Sequence, residues 1–89
     1  MKIYIVTHKH DSESFELCYN DIVSAHISRE KAEESVEKEK LSCLNEYWQG
    51  YESQDGVEID RDLAGLFEIH DNYSCNGDEI LIHEQIIKD

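Results

Sequence analysis

Within residues 2–8 (KIYIVTH) the apolar positions 3–6 follow one another without a polar break, with Ile3 and Ile5 on one face of an extended chain and Tyr4 and Val6 on the other. A short β-branched and aromatic run of this kind predicts a central strand, apolar on both sides. Residues 9–14 (KHDSES) are polar and predict a turn or loop. Phe15, Leu17 and Tyr19 then alternate with Glu16 and Cys18, the period of two expected of a half-buried strand. After Asn20-Asp21, residues 22–27 (IVSAHI) return to strand composition. Two arrangements of 14–27 stay open, one strand with a bulge or two strands joined at Asn20-Asp21.

Residues 28–51 (SREKAEESVEKEKLSCLNEYWQGY) change period. Ala32, Val36, Leu44, Tyr47, Trp48 and Tyr51, with Leu41 and Cys43 beside them, recur at helical spacings, so one stripe can lie on a sheet. Ser28 is placed to cap the first turn, and Glu30, Glu33 and Glu34 sit near the positive end of the helix dipole. Only charged residues occur between Val36 and Leu41, so this part is expected to be held by a Glu34–Lys38 pair and by the helix ends. Gly50 or Gly56 should end the helix, Trp48 should be core, and Tyr51 should be a contact residue.

Beyond residue 52, Asp60 is positioned to cap a short second helix through Leu63, Leu66, Phe67 and Ile69. Asn76-Gly77 signals a turn, and residues 80–87 (ILIHEQII) predict a final strand that closes the sheet. The expected fold is α+β: a single domain over 1–89 with a small antiparallel sheet of three to four strands, one long helix packed on a face and a short second helix. KIYIVTH, SREKAEESV and the terminal I-x-I-x-E-x-x-I resemble small uncharacterised bacterial and phage proteins built as strand, strand, helix and strand. That resemblance implies architecture only.

Composition narrows the partners. Eight basic against 21 acidic residues give a net charge of −13 over 89 residues. Nucleic acid and anionic membranes are poor partners for such a chain, because binding them requires lysine and arginine against phosphate. The acidity is segregated: residues 52–89 carry eleven acids against Arg61 and Lys88, a net of −9, whereas 1–27 and 28–51 carry −2 each. Cys18, Cys43 and Cys75 are odd in number and widely spaced, which fits a reducing cytoplasm better than a disulfide framework. The apolar run at the start is too short for a signal segment or a membrane span.

No catalytic, metal or nucleotide motif is complete. Thr7-His8-Lys9-His10-Asp11 begins like the metal signature of metallo-β-lactamase-like hydrolases, but Ser12-Glu13 stands where Asp-His is required. Placing Gly56 at the sixth position of an EF-hand loop puts Tyr51 at the first and Glu58 at the eighth, where a carboxylate and an apolar residue are needed. Cys75 with His70 or His83 has no nucleophile signature around it. No enzyme activity and no cofactor are expected.

The expected function is therefore a non-enzymatic acidic binding protein. It would inhibit a basic nucleic-acid-binding protein by occupying its phosphate-binding surface, as acidic phage anti-defence proteins, anti-CRISPR proteins included, are similar to it in size and charge. Tyr51, Glu52, Asp55, Glu58, Asp60, Asp62, Glu68, Asp71, Asp78 and Glu79 would form the contact. One alternative is a structural or adaptor subunit that binds through an apolar face. A weaker one is a metal-binding domain using His8, His10 and His83. A homodimer stays open.

Overall fold

The computed structural model describes residues 1–88. Five strands and one helix follow in the order β1 (Lys2–Asp11), β2 (Tyr19–His26), α1 (Arg29–Tyr47), β3 (Val57–Leu63), β4 (Leu66–Asp71) and β5 (Gly77–Ile86), with single 3-10 turns at Phe15–Leu17 and Tyr51–Ser53. The strands form one antiparallel sheet in the order β2-β1-β5-β4-β3, so the fold is α+β with five strands where three or four were expected. Among the described residues no helix is long and apolar enough to cross a membrane.

The doubly apolar β1 is internal, as its composition predicts. It pairs with β2 on one side and, from Lys2 opposite Ile86 to Asp11 opposite Gly77, along the whole of β5 on the other. The last strand therefore lies in the middle of the sheet. Outside the sheet, the Met1 ammonium donates to the Ile87 carbonyl at 3.0 Å and Ile87 N–H to the Met1 carbonyl at 2.7 Å.

Residues 14–27 hold one bulged strand, β2, which begins at Tyr19, later than the sequence suggests. Phe15 and Leu17 belong to the 3-10 turn, with 90% and 62% of their surfaces exposed, so their alternation with Glu16 is not that of a strand. Asn20 and Asp21 lie inside β2, and the extra residue is Val23, because Val6 pairs with Ser24 and Thr7 with Ile22.

The expected second helix is a hairpin. Leu63 pairs with Leu66 across the two-residue connection Ala64-Gly65, and Gly65 has φ 86°. Only glycine adopts that conformation without strain. A Cβ there would also lie 2.8 Å from Ile82 Cδ1 and 3.0 Å from an Arg29 guanidinium nitrogen. The helical spacing of Leu63, Leu66 and Phe67 is incidental, since it would bury a glycine mid-helix at a cost of about 1 kcal/mol. Phe67 and Ile69, buried in alternation with Glu68 and His70, give the period that prevails.

Helix α1 starts where its cap predicts, with the Ser28 hydroxyl accepting from Lys31 N–H at 3.4 Å. It ends earlier than expected, at Trp48, whose ring turns into the core, and left-handed Gly50 (φ 74°) redirects the chain. Ala32, Val36 and Cys43 form the buried stripe, while Leu41 is exposed. The charged middle is anchored on the sheet and not by a Glu34–Lys38 pair. Lys40 sets its ammonium over Phe67, Nζ 5.6 Å from the ring centroid, and bonds both carboxylate oxygens of Asp62 at 2.9 and 3.0 Å. Along the helix, Lys31 pairs with Glu34 and Arg29 with Glu33. The core between helix and sheet is Val6, Ala32, Val36, Cys43, Trp48, Phe67, Ile69 and Ile80.

Replacing Gly65 by alanine tests the hairpin. The strained φ and the close contacts should cost at least about 1–2 kcal/mol in urea unfolding. A cost below about 0.5 kcal/mol would contradict a left-handed Gly65.

Candidate functional site

The helix covers one face of the sheet only. On the other face, strand register arranges side chains in rows across the strands. Nearest the loops at the β1 end lie Asp11, Gly77, His70 and Glu58. The next row is Asn20, Lys9, Glu79, Glu68 and Arg61, and the one below is Ile22, Thr7, Leu81, Leu66 and Leu63. Glu68 and Glu79 stand directly opposite each other on neighbouring strands, a like-charge pairing that is unfavourable in the free protein. Among the described residues, none of Lys9, Arg61, Glu68 and Glu79 forms an ion pair within 4.0 Å.

This face gathers three of the expected contact residues, Glu58, Glu68 and Glu79, with Asp60 at its rim. Asp60 is the bulge residue of β3, since Ile59 pairs with Ile69 and Arg61 with Glu68, and its carboxylate meets Nδ1 of His70 at 2.5 Å. Asp62 is on the helix side with Lys40. Asp55 and Asp71 bond the Tyr73 hydroxyl and amide, Glu52 is exposed in the 3-10 turn, and Tyr51 packs against the core edge. Asp78 is a correction: it is 4% exposed and points into the core, so no partner can reach it.

Asp78 instead centres a buried polar cluster. Strand β1 continues its inward face from Tyr4 and Val6 through His8 and His10, and both imidazoles meet Asp78 Oδ1, His8 through Nε2 at 2.6 Å and His10 through Nδ1 at 2.8 Å. Trp48 Nε1–H donates to Oδ2 at 2.6 Å. His8 Nδ1 lies 2.9 Å from Glu39 Oε1, so both its ring nitrogens face carboxylates. Burial presses the His8 pKa down, and the bonds to Asp78 and Glu39 outweigh it and raise the value on balance. The signal was present, because a period of two carried past Val6 and back from Ile80 puts His8, His10 and Asp78 on the core face.

The cluster opens at one side. His10 is stacked between Tyr19 and Tyr47, at ring-centroid distances of 5.1 and 4.0 Å. Every buried side-chain nitrogen and oxygen has a partner, so the Nε2 of His10, which has none among the described residues, reaches solvent. It does so at a cleft of about 560 Å³ lined by His10, Tyr19, Tyr47, Trp48, Cys18, Glu46, Asp71 and Asn76 among others. Burial raises the Tyr19 pKa, and it raises that of the Cys43 thiol beside Asp78, so both stay protonated at neutral pH. His83 does not join His8 and His10. It lies on the opposite face against Thr7 Oγ1 at 2.8 Å, so the three-histidine metal set is not assembled.

Comparison with protein-family models, with curated proteins and with solved structures gave no match.

Two predictions test this arrangement. Asp78→Ala leaves the buried donors of His8, His10 and Trp48 without their acceptor and should cost about 3–5 kcal/mol of stability, whereas Glu52→Gln should change it by no more than about 0.5 kcal/mol; equal effects in chemical denaturation would contradict the burial of Asp78. His70 has its pKa raised, chiefly by the bond it donates to the Asp60 carboxylate. A raised folded-state value stabilises fully below the unfolded histidine pKa of about 6.5 and is lost as pH rises through the folded value. The stability lost in Asp60→Asn should therefore be larger at pH 5.5 than at pH 9, and a pH-independent difference would show that the pair does not form.

Proposed function

We propose that this protein is a non-enzymatic binding protein, and that it inhibits a basic nucleic-acid-handling protein through the uncovered face of its sheet. The observation that carries this reading is the Glu68–Glu79 pair, in register between Lys9 and Arg61 and bordered by Glu58, Asp60 and Asp11. Two carboxylates held together on a fixed sheet are repelled in the free protein, and a cationic side chain placed between them by a partner would relieve that repulsion. Neighbouring strands are about 4.8 Å apart, so carboxylates on adjacent strands are spaced closely enough for one arginine to meet two of them. A net charge of −13 steers the encounter with a basic surface. The analogy with phage anti-defence proteins rests on size and charge alone.

The adaptor reading draws on a different row. Ile22, Leu81, Leu66 and Leu63 cross the sheet beside the carboxylates, and Ile22 and Leu63 are 73% and 65% exposed. A partner seated there would gain its affinity from apolar burial and would hold at high salt.

Tagged protein recovered from a nuclease-treated bacterial lysate, washed at low and then high salt, separates the two. The inhibitor reading expects a basic nucleic-acid-binding protein that elutes with salt. Its association should slow about tenfold or more in the combined Glu58→Gln, Glu68→Gln, Glu79→Gln variant. A salt-resistant partner whose association ignores those changes, and which is lost in Leu63→Ser with Leu81→Ser, would replace inhibition by mimicry with the adaptor role.

A further inference from the structure

We propose that His8, Cys43 and Asp78, completed by His10, bind a divalent transition metal of the zinc type in the core of the molecule. The donor set is the first reason. One imidazole nitrogen, one thiol sulfur and one carboxylate oxygen, brought from β1, α1 and β5, all lie within 4.8 Å of one another and are buried. Imidazole and thiolate with a carboxylate suit zinc or cobalt and not a hard cation such as calcium or magnesium. Tetrahedral zinc with bonds of 2.0–2.3 Å holds its ligands about 3.3–3.8 Å apart, so small side-chain shifts suffice.

The outer shell is the second reason, and it is independent of the first. Ligating histidines are oriented by a carboxylate on their other nitrogen, and ligating carboxylates by a donor on their other oxygen. Both devices are present. Glu39 holds Nδ1 of His8 at 2.9 Å, which aims Nε2 at the centre, and Trp48 Nε1–H holds Oδ2 of Asp78 at 2.6 Å, which aims Oδ1 there. Glu39 lies in the middle of the helix, in the charged stretch that packs no apolar side chain, and this orientation of His8 is what its position provides.

His10, which lies outside the group of three, would complete the set by a shift of its ring. Its Nδ1 already lies 2.8 Å from Asp78 Oδ1, and its ring is confined between Tyr19 and Tyr47 at the floor of the cleft, which gives the ion a route from solvent. Binding exchanges one divalent cation for the proton on His8 Nε2 and the proton of the Cys43 thiol. The cluster's net charge is thereby unchanged. This site is on the opposite side of the sheet from the partner surface, and either proposal can fail without the other.

Cobalt(II) added to chelator-treated protein tests the site, because only a sulfur ligand gives a thiolate-to-cobalt charge-transfer absorption. We expect that band to saturate at one equivalent, to disappear when zinc(II) is added, and to be absent in Cys43→Ser with its circular dichroism unchanged. Zinc measured by calorimetry should bind at least tenfold more weakly in Cys43→Ser, and 10–100-fold more weakly in Glu39→Gln. Glu58, Asp60 and His70 form a second group with ligand atoms within 4.8 Å, at the exposed rim. Zinc affinity should therefore survive His70→Ala. Absence of the charge-transfer band, an affinity unchanged in Cys43→Ser, or zinc binding lost in His70→Ala would each overturn the proposal.

Discussion

The sheet and the helix are fastened to each other through the carboxylate of Asp78. It stands on β5 and takes one bond from each of two β1 histidines and a third from the indole of Trp48, where the helix ends. Through His8 it is linked to Glu39 in the middle of the helix. A charged group in an apolar core is tolerated only when its lone pairs are filled and its charge is balanced, and both conditions are met here. This also fixes register. With Ile3 and Ile5 on one face of β1 and Tyr4 and Val6 on the other, a slip against β5 would still bury apolar side chains. It would not keep two imidazoles on one carboxylate, so the polar centre specifies what the hydrophobic pattern leaves degenerate.

What could be read from the sequence divides along the same line. β1, the Ser28 cap, the burial of Trp48 and the final strand each follow from local chemistry, β-branched runs and a hydroxyl before a helical period, whereas the turn expected at Asn76-Gly77 lies at residues 72–75 and Gly77 already pairs within β5. The β3–β4 hairpin was hidden because Leu63, Leu66 and Phe67 satisfy a helical spacing by coincidence, and the pairing of β4 with both β3 and β5 decides against it. Asp78 was grouped with the surface acids because composition counts carboxylates without their direction. In a strand the direction is set by parity, and parity with Ile80 would have turned it inward.

The acidic composition, too, resolves into different kinds of carboxylate. Asp78 is interior, Glu39 and Asp62 tie the helix to the sheet, and Asp60 is held by a histidine at a bulge. Glu58, Glu68 and Glu79 lie on the face that the helix leaves open, with Arg61 and Lys9 in register beside the last two, and among the described residues none of the three forms an ion pair within 4.0 Å. The uneven charge along the chain thus becomes a two-sided molecule. Its interior carboxylates serve structure, while those of the open face stand beside solvent.

The central place of β5 has a consequence for how the chain is made. During translation β1 leaves the ribosome first, and β2 can pair with it at once, since they are close in sequence. The other edge of β1 stays open until some seventy further residues have been added. Throughout that interval its unpaired amides and carbonyls, flanked by isoleucines, are a template for any extended chain nearby. The nascent protein is therefore most vulnerable to aggregation before β5 appears, and a ribosome that pauses ahead of that strand would prolong the exposure.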